Sequence, residues 1–133
     1  LPGDTVTLTE VAALPQVLFH HGYDLREATS AAFEAAGLAP NIVVEGAEMD
    51  AVLRFVERGL GVSIVPAMVL VDRPRLTSAQ LVEPSLSRTV SLATRADIRP
   101  TRAASAMEKT ILDTARVLAS EDTGLAAYVR LSE

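Results

Sequence analysis

Two stretches at helical spacing each close on a glycine and are each followed by a short apolar run. That repetition constrains the fold more than any other feature. The first is DLREATSAAFEAAG (24–37), followed by Ile42, Val43 and Val44; the second is EMDAVLRFVERG (48–59), followed by VSIVP to residue 66. In the first, Leu25, Ala28, Ala32 and Ala36 lie beside Thr29 and Phe33 on one face, and Asp24 with Glu27 has the spacing of a capping box. In the second, Met49, Val52, Leu53 and Val56 fall at i, i+3, i+4 and i+7, with acidic residues at the start and Arg58 near the end. Gly37 and Gly59 take the residue after each helix, where a positive φ is cheapest for glycine. Upstream, QVLF (16–19) is an apolar run that stops at the polar loop HHGYD. Strands alternating with helices imply βαβ units on a parallel sheet, so the chain is expected to be α/β.

The flanks add further elements. TVTLTEVAALP predicts a short helix, with Thr7 or Thr9 as N-cap and Pro15 as its stop. AMVL (67–70) has room for one helical turn, and DRPRLTSAQ reads as a polar loop. LVEP (81–84) and RTVSLATR (88–95) read as strands, the second because Val90 and Leu92 alternate with Ser91 and Ala93. RPTRAASAMEKTILDTARVLAS (99–120) reads as a long helix with Pro100 at its first position. Its apolar stripe is Ala104, Met107, Ile111, Ala115 and Leu118.

Composition removes several function classes. No cysteine is present, which excludes disulfides and thiolate metal sites. His20 and His21 are adjacent, a spacing that rarely converges on one ion, so no metal is expected. A formal net charge of −5 argues against direct nucleic-acid binding by this chain. No apolar run reaches membrane-spanning length, and LPGDTVTLTE has neither the basic nor the apolar region of a signal peptide. The first residue is leucine, so the chain reads as a piece of something longer. Ser63 lacks a nucleophile elbow and reads as a strand serine with a satisfied hydroxyl. GLG (59–61) follows a helix and is too short for a dinucleotide fingerprint. Arg88, Arg99 and Arg102 are scattered and read as surface charges.

The segment GAEMDAVLRFVERGLGVSIVP resembles the effector-binding domain of LysR-type transcriptional regulators, through Val56, Gly59, Gly61, Val62, Ile64, Val65 and Pro66. LTEVAALPQVLF, GYDLREATSAAFEAAGLAP and LSRTVSLATRADIRPTRAA are similar to further family segments, in order, over about residues 5 to 118. The resemblance implies a type 2 periplasmic-binding-protein fold, with two α/β subdomains and a small effector in the cleft. Residues 1–96 would be the second subdomain, a three-layer Rossmann-like unit. Residues 97–120 would be the return segment and C-terminal helix that pack on the first subdomain, and 121–133 a tail. The family's helix-turn-helix and most of the first subdomain are absent from this sequence.

In open parallel sheets, ligands sit beyond the carboxyl ends of strands. His20, His21, Gly22, Tyr23 and Leu25 follow one strand, and Val65 and Pro66 end another, so these seven are the candidate effector contacts. Free N–H groups at the helix start after His20 would favour an anionic effector, unless Asp24 takes them itself. Glu45 and Glu48 are placed to reach the cleft, and Thr94 and Arg95 to line the hinge.

The expected function is effector sensing by a cytoplasmic bacterial regulator. It would have no cofactor, contact DNA only through a helix-turn-helix outside this chain, and form a homo-oligomer when full-length. The competing readings are a freestanding solute-binding protein and an enzyme on a similar half-fold. The second has no convergent acid–base or nucleophile set behind it.

Overall fold

A computed structural model describes residues 3–120, 126 and 128–131; most of the expected tail at 121–133 lies outside them. The chain forms two compact units, residues 1–87 and 88–133.

The first unit runs β1 (Thr5–Thr7), α1 (Leu8–Ala12), β2 (Pro15–Phe19), α2 (Asp24–Ala35), β3 (Asn41–Gly46), α3 (Met49–Glu57), a 3-10 turn (Ala67–Leu70) and β4 (Gln80–Glu83). β2 and β3 pair in parallel from Pro15↔Asn41 to Phe19↔Gly46. β1 and β4 pair in parallel from Thr5↔Gln80 to Thr7↔Glu83. The stretch around Val62 joins the other edge of β2: the Val17 N–H donates to the Val62 carbonyl at 2.8 Å, and the Val62 N–H to the Pro15 carbonyl at 2.8 Å. The expected VSIVP strand is therefore reduced to a single parallel bridge at Val62.

β2 is central, and Gln16, Val17, Leu18 and Phe19 are all buried. Two apolar clusters form around it. Val6, Leu8, Val11, Ala32 and Phe33 make one, with Val62 and Ile64 against it. Val17, Phe19 and Val52 make the other, with Val44, Phe55, Val56 and Val65 against it. Ile64 and Val65 thus serve different clusters, as adjacent residues of an extended chain must. Burying one such side chain is worth about 1.5–3 kcal/mol. β3 departs from expectation. Ile42 and Val43 were expected to be buried but are 41% and 50% exposed, because β3 pairs only with β2 among the described residues.

The capping box lies at α1. The Glu10 N–H donates to the Thr7 hydroxyl at 3.3 Å, and the Thr7 N–H donates to the Glu10 carboxylate at 2.8 Å. At α2 the expected Asp24–Glu27 box does not form. Tyr23 is the cap, so Asp24 is already helical and its carboxylate accepts from the next N–H, that of Leu25, at 2.9 Å. Gly37 and Gly59 do close their helices, with φ of +65° and +76°.

The Thr7 box carries a pH signature. The backbone N–H of Thr7, then its hydroxyl, hold the Glu10 carboxyl below its ordinary value. A depressed folded-state pKa contributes stability above the unfolded pKa and loses it as pH falls through the folded value. Acidifying from pH 6 should therefore lower the melting temperature more steeply in the native chain than in Glu10→Gln; parallel slopes would contradict the box. Thr7→Ala should cost about 1 kcal/mol at neutral pH, read by chemical denaturation.

The second unit holds α4 (Arg102–Leu118). Its cap is Thr101, whose hydroxyl accepts from the Ala104 N–H at 3.2 Å, so Pro100 precedes the cap and is not the first helical residue. Met107, Ile111 and Leu118 of the expected stripe are exposed. The expected strand at 88–95 is absent. It has no ladder partner among the described residues, and Val90 and Leu92 are 74% and 47% exposed. Alternation favours a strand only where another strand takes up its backbone groups.

Candidate functional site

Because β2, β3 and the 62–65 stretch run parallel, their carboxyl ends, Phe19, Gly46 and Val65, lie at one edge of the sheet. The loop from His20 to Tyr23 leaves the middle strand there. It is pinned at both ends: the His20 N–H donates to the Gly46 carbonyl at 3.1 Å, and the His20 carbonyl accepts from the Tyr23 N–H at 3.3 Å. Gly22 turns between them with φ of +91°.

The aromatic side chains converge. The Tyr23 ring stacks on Phe19 with centroids 4.5 Å apart and planes at 13°. His20 meets Tyr23 edge-on at 6.4 Å. Tyr23, Leu25 and Val65 all pack against the Val17–Phe19–Val52 cluster. The structure therefore brings Tyr23, Leu25 and Val65 together around Phe19, with His20, His21 and Gly22 exposed above. Pro66 follows Val65 as the cap of the 3-10 turn, and its carbonyl accepts from the Val69 N–H at 3.1 Å.

The N-terminus of α2 offers little to an anion. The Leu25 N–H is taken by Asp24, and the Arg26 and Glu27 N–H groups donate to the Tyr23 carbonyl at 2.9 and 3.2 Å. The expected preference for an anionic effector at this helix start loses its physical basis. What remains is an aromatic and apolar floor with two imidazoles at its rim.

One residue at the edge has no counterpart in the sequence reading. Arg26 is 5% exposed. Its guanidinium donates to the Phe19 carbonyl at 2.8 Å, to Glu45 at 2.8 Å and to the Ser30 hydroxyl at 3.2 Å. It also lies 3.4 Å from His21 Nε2, which accepts from it. His20 Nδ1–H in turn donates to the His21 carbonyl at 2.6 Å. Arg26 thus ties the end of β2, the end of β3 and the loop into one cluster. On the sequence it looks like any charged helix residue; the only hint was that its partner Glu45 ends the next strand.

Other candidates fare differently. Glu45 is committed to Arg26, and Glu48 caps α3 without a side-chain hydrogen bond. Arg95 forms a two-pronged pair with Asp97, at 3.0 and 2.6 Å, on exposed chain outside any strand. The Ser63 hydroxyl, expected to be satisfied, is buried with no hydrogen-bond partner among the described residues. Those residues include no group of three or more potential metal ligands. They also include no helix long and apolar enough to cross a membrane.

A family model described as the LysR substrate binding domain matches residues 1–116. Over 90 residues the chain is 34% identical to YybE of Bacillus subtilis, described as an uncharacterized HTH-type transcriptional regulator; the match covers 68% of this chain and 31% of YybE. It is 34% identical over 90 residues to the transcriptional dual regulator GltC of the same organism, covering 66% and 30%. It is 37% identical over 60 residues to the HTH-type transcriptional regulator CysB of Burkholderia cenocepacia, covering 45% and 19%. The chain spans under a third of the length of these relatives.

Proposed function

Because the chain belongs to the LysR substrate-binding-domain family, we propose that it is the effector-sensing part of a bacterial LysR-type transcriptional regulator. Residues 1–96 form the second subdomain, a three-layer Rossmann-like unit, and residues 97–120 the return segment and C-terminal helix. The effector is a small metabolite. It contacts His20, His21 and Gly22 at the rim, Tyr23, Leu25 and Val65 in the floor, and Pro66 beside them. The observation behind this is the aromatic edge itself, where Phe19 and Tyr23 stack at the carboxyl ends of parallel strands. No bond is made or broken. The ligand acts by binding one cleft geometry better than another and shifting the population towards it. The protein works in the cytoplasm as a homo-oligomer and reaches DNA through a helix-turn-helix outside this chain. Relatives described as transcriptional regulators favour this over a freestanding solute-binding protein.

The test is calorimetry with a metabolite panel on the whole regulator and on this chain. The chain supplies one wall of the cleft, so it should bind the effector about 100-fold or more weakly, a loss of about 2.7 kcal/mol. Tyr23→Ala in the whole regulator should weaken binding about tenfold, by removing the aromatic face. Equal affinity of chain and regulator would overturn the two-walled cleft.

A further inference from the structure

The opposite end of the sheet carries a depression of its own. α3 runs back from Gly46, and the chain beyond it reaches the start of β2, where the Val62 N–H meets the Pro15 carbonyl. There a cavity of about 570 Å³ is lined by Arg54, Phe55, Glu57, Arg58, Leu60 and Arg75. The volume is in the range of small-molecule sites, roughly 300–1,000 Å³.

Three arginines share this cavity in a chain of net charge −5. Local helix chemistry accounts for them only in part: Arg54 and Arg58 stand at the end of α3, where the helix dipole favours positive charge, but Arg75 is on no helix. Arg54 and Arg58 stand at i and i+4, where like charges oppose the helix. Nor are they needed to cap the helix end. The carbonyls of Arg54, Phe55 and Val56 already accept from the N–H groups of Arg58, Leu60 and Gly59, at 3.1, 3.1 and 2.8 Å. The one acid in the lining, Glu57, faces Arg73 at 3.9 Å. The side chains of Arg54, Arg58 and Arg75 make no ion pair or hydrogen bond among the described residues. The helix C-terminus contributes only about half a negative charge against these full positive ones. Phe55 is half-buried and Leu60 is 43% exposed, so an apolar surface lies beside the charges.

We infer that this cavity binds a small polyanion, a phosphorylated or polycarboxylated metabolite, at a site separate from the aromatic edge. Guanidinium forks match phosphate and carboxylate oxygens two at a time, and Phe55 and Leu60 cover the carbon portion of the ligand. The inference stands whether or not the aromatic edge binds an effector.

The experiment is a titration of the intact chain with pyrophosphate at low salt, followed by calorimetry and backbone amide shifts. Saturable binding should appear with a Kd below about 1 mM, shifting amides at 54–60 and 75 and weakening as salt screens the charges. The double variant Arg58→Gln/Arg75→Gln should bind at least about tenfold more weakly at an unchanged melting temperature. Lys109→Gln/Arg116→Gln makes the same net-charge change and should leave binding as it was. Absence of saturation, or equal weakening by both double variants, overturns the site. Binding of a poly-glutamate peptide without binding of pyrophosphate overturns the metabolite assignment and reassigns the surface to an acidic protein partner.

Discussion

Gly61→Val should unfold the first unit at a temperature about 10–20 °C lower, a loss of roughly 3 kcal/mol. The cause is proximity. A Cβ on Gly61 would lie 2.4 Å from the Pro15 carbonyl oxygen and 2.8 Å from its carbon. Both are backbone atoms, so no side chain can swing aside. The Pro15 carbonyl also accepts the Val62 N–H, so relieving the clash breaks the contact that joins this stretch to β2. Gly61→Ala should do most of the same damage, because the first carbon is the one that collides. Gly59→Ala is the contrast: its φ is +76° and its Cβ would meet nothing within 4 Å, so only left-handed strain of about 1–2 kcal/mol is expected. Circular dichroism melts of the three variants check the order; a mild Gly61→Ala would mean the strands can part freely.

Arg26→Ala should cost about 2–3 kcal/mol by chemical denaturation. It leaves the Phe19 carbonyl without its charged donor and removes the link from β2 to Glu45. The loss stays below the extreme for buried pairs because the Glu45 side chain is 41% exposed and can turn to water. For the same reason, a double-mutant cycle with Glu45→Ala should give a coupling under about 1 kcal/mol. Arg26→Lys should recover only part of the loss, since an ammonium lacks the fork that serves a carbonyl, a carboxylate and a hydroxyl at once. A coupling several times larger would assign the stability to the ion pair rather than to the carbonyl contact.

Local periodicity made α2, α3 and β2 legible, because the burial of Phe33, Val52, Leu53 and Val17 follows from their spacing. Features that depend on distant partners were not legible. Arg26 finds Glu45 19 residues away, and Gly61 finds Pro15 across a strand pairing. GLGVSIVP could therefore mark the family, while the need for its second glycine came from a backbone that touches it. Two similar signals, Thr7 with Glu10 and Asp24 with Glu27, separate because Tyr23 takes the cap position and α2 begins at Asp24 itself. Residues 88–95 alternate like a strand, yet alternation says nothing about whether a neighbour exists. At the candidate site the histidine–tyrosine loop was read from its position after a strand. The stack of Tyr23 on Phe19 and the taken N–H groups of α2 required geometry.

The pairing of β1 with β4 sets a schedule for synthesis. Thr5 and Gln80 lie 75 positions apart, and among the described residues neither strand has another partner. At roughly 5–20 residues per second, a ribosome needs about 4–15 s to add the residues between them. For that interval Val6 lacks its β4 partner, and α2, β3 and α3 are completed within it. Within the first unit, β2 and β3 can pair before β1 closes on β4, which waits until Glu83 has emerged.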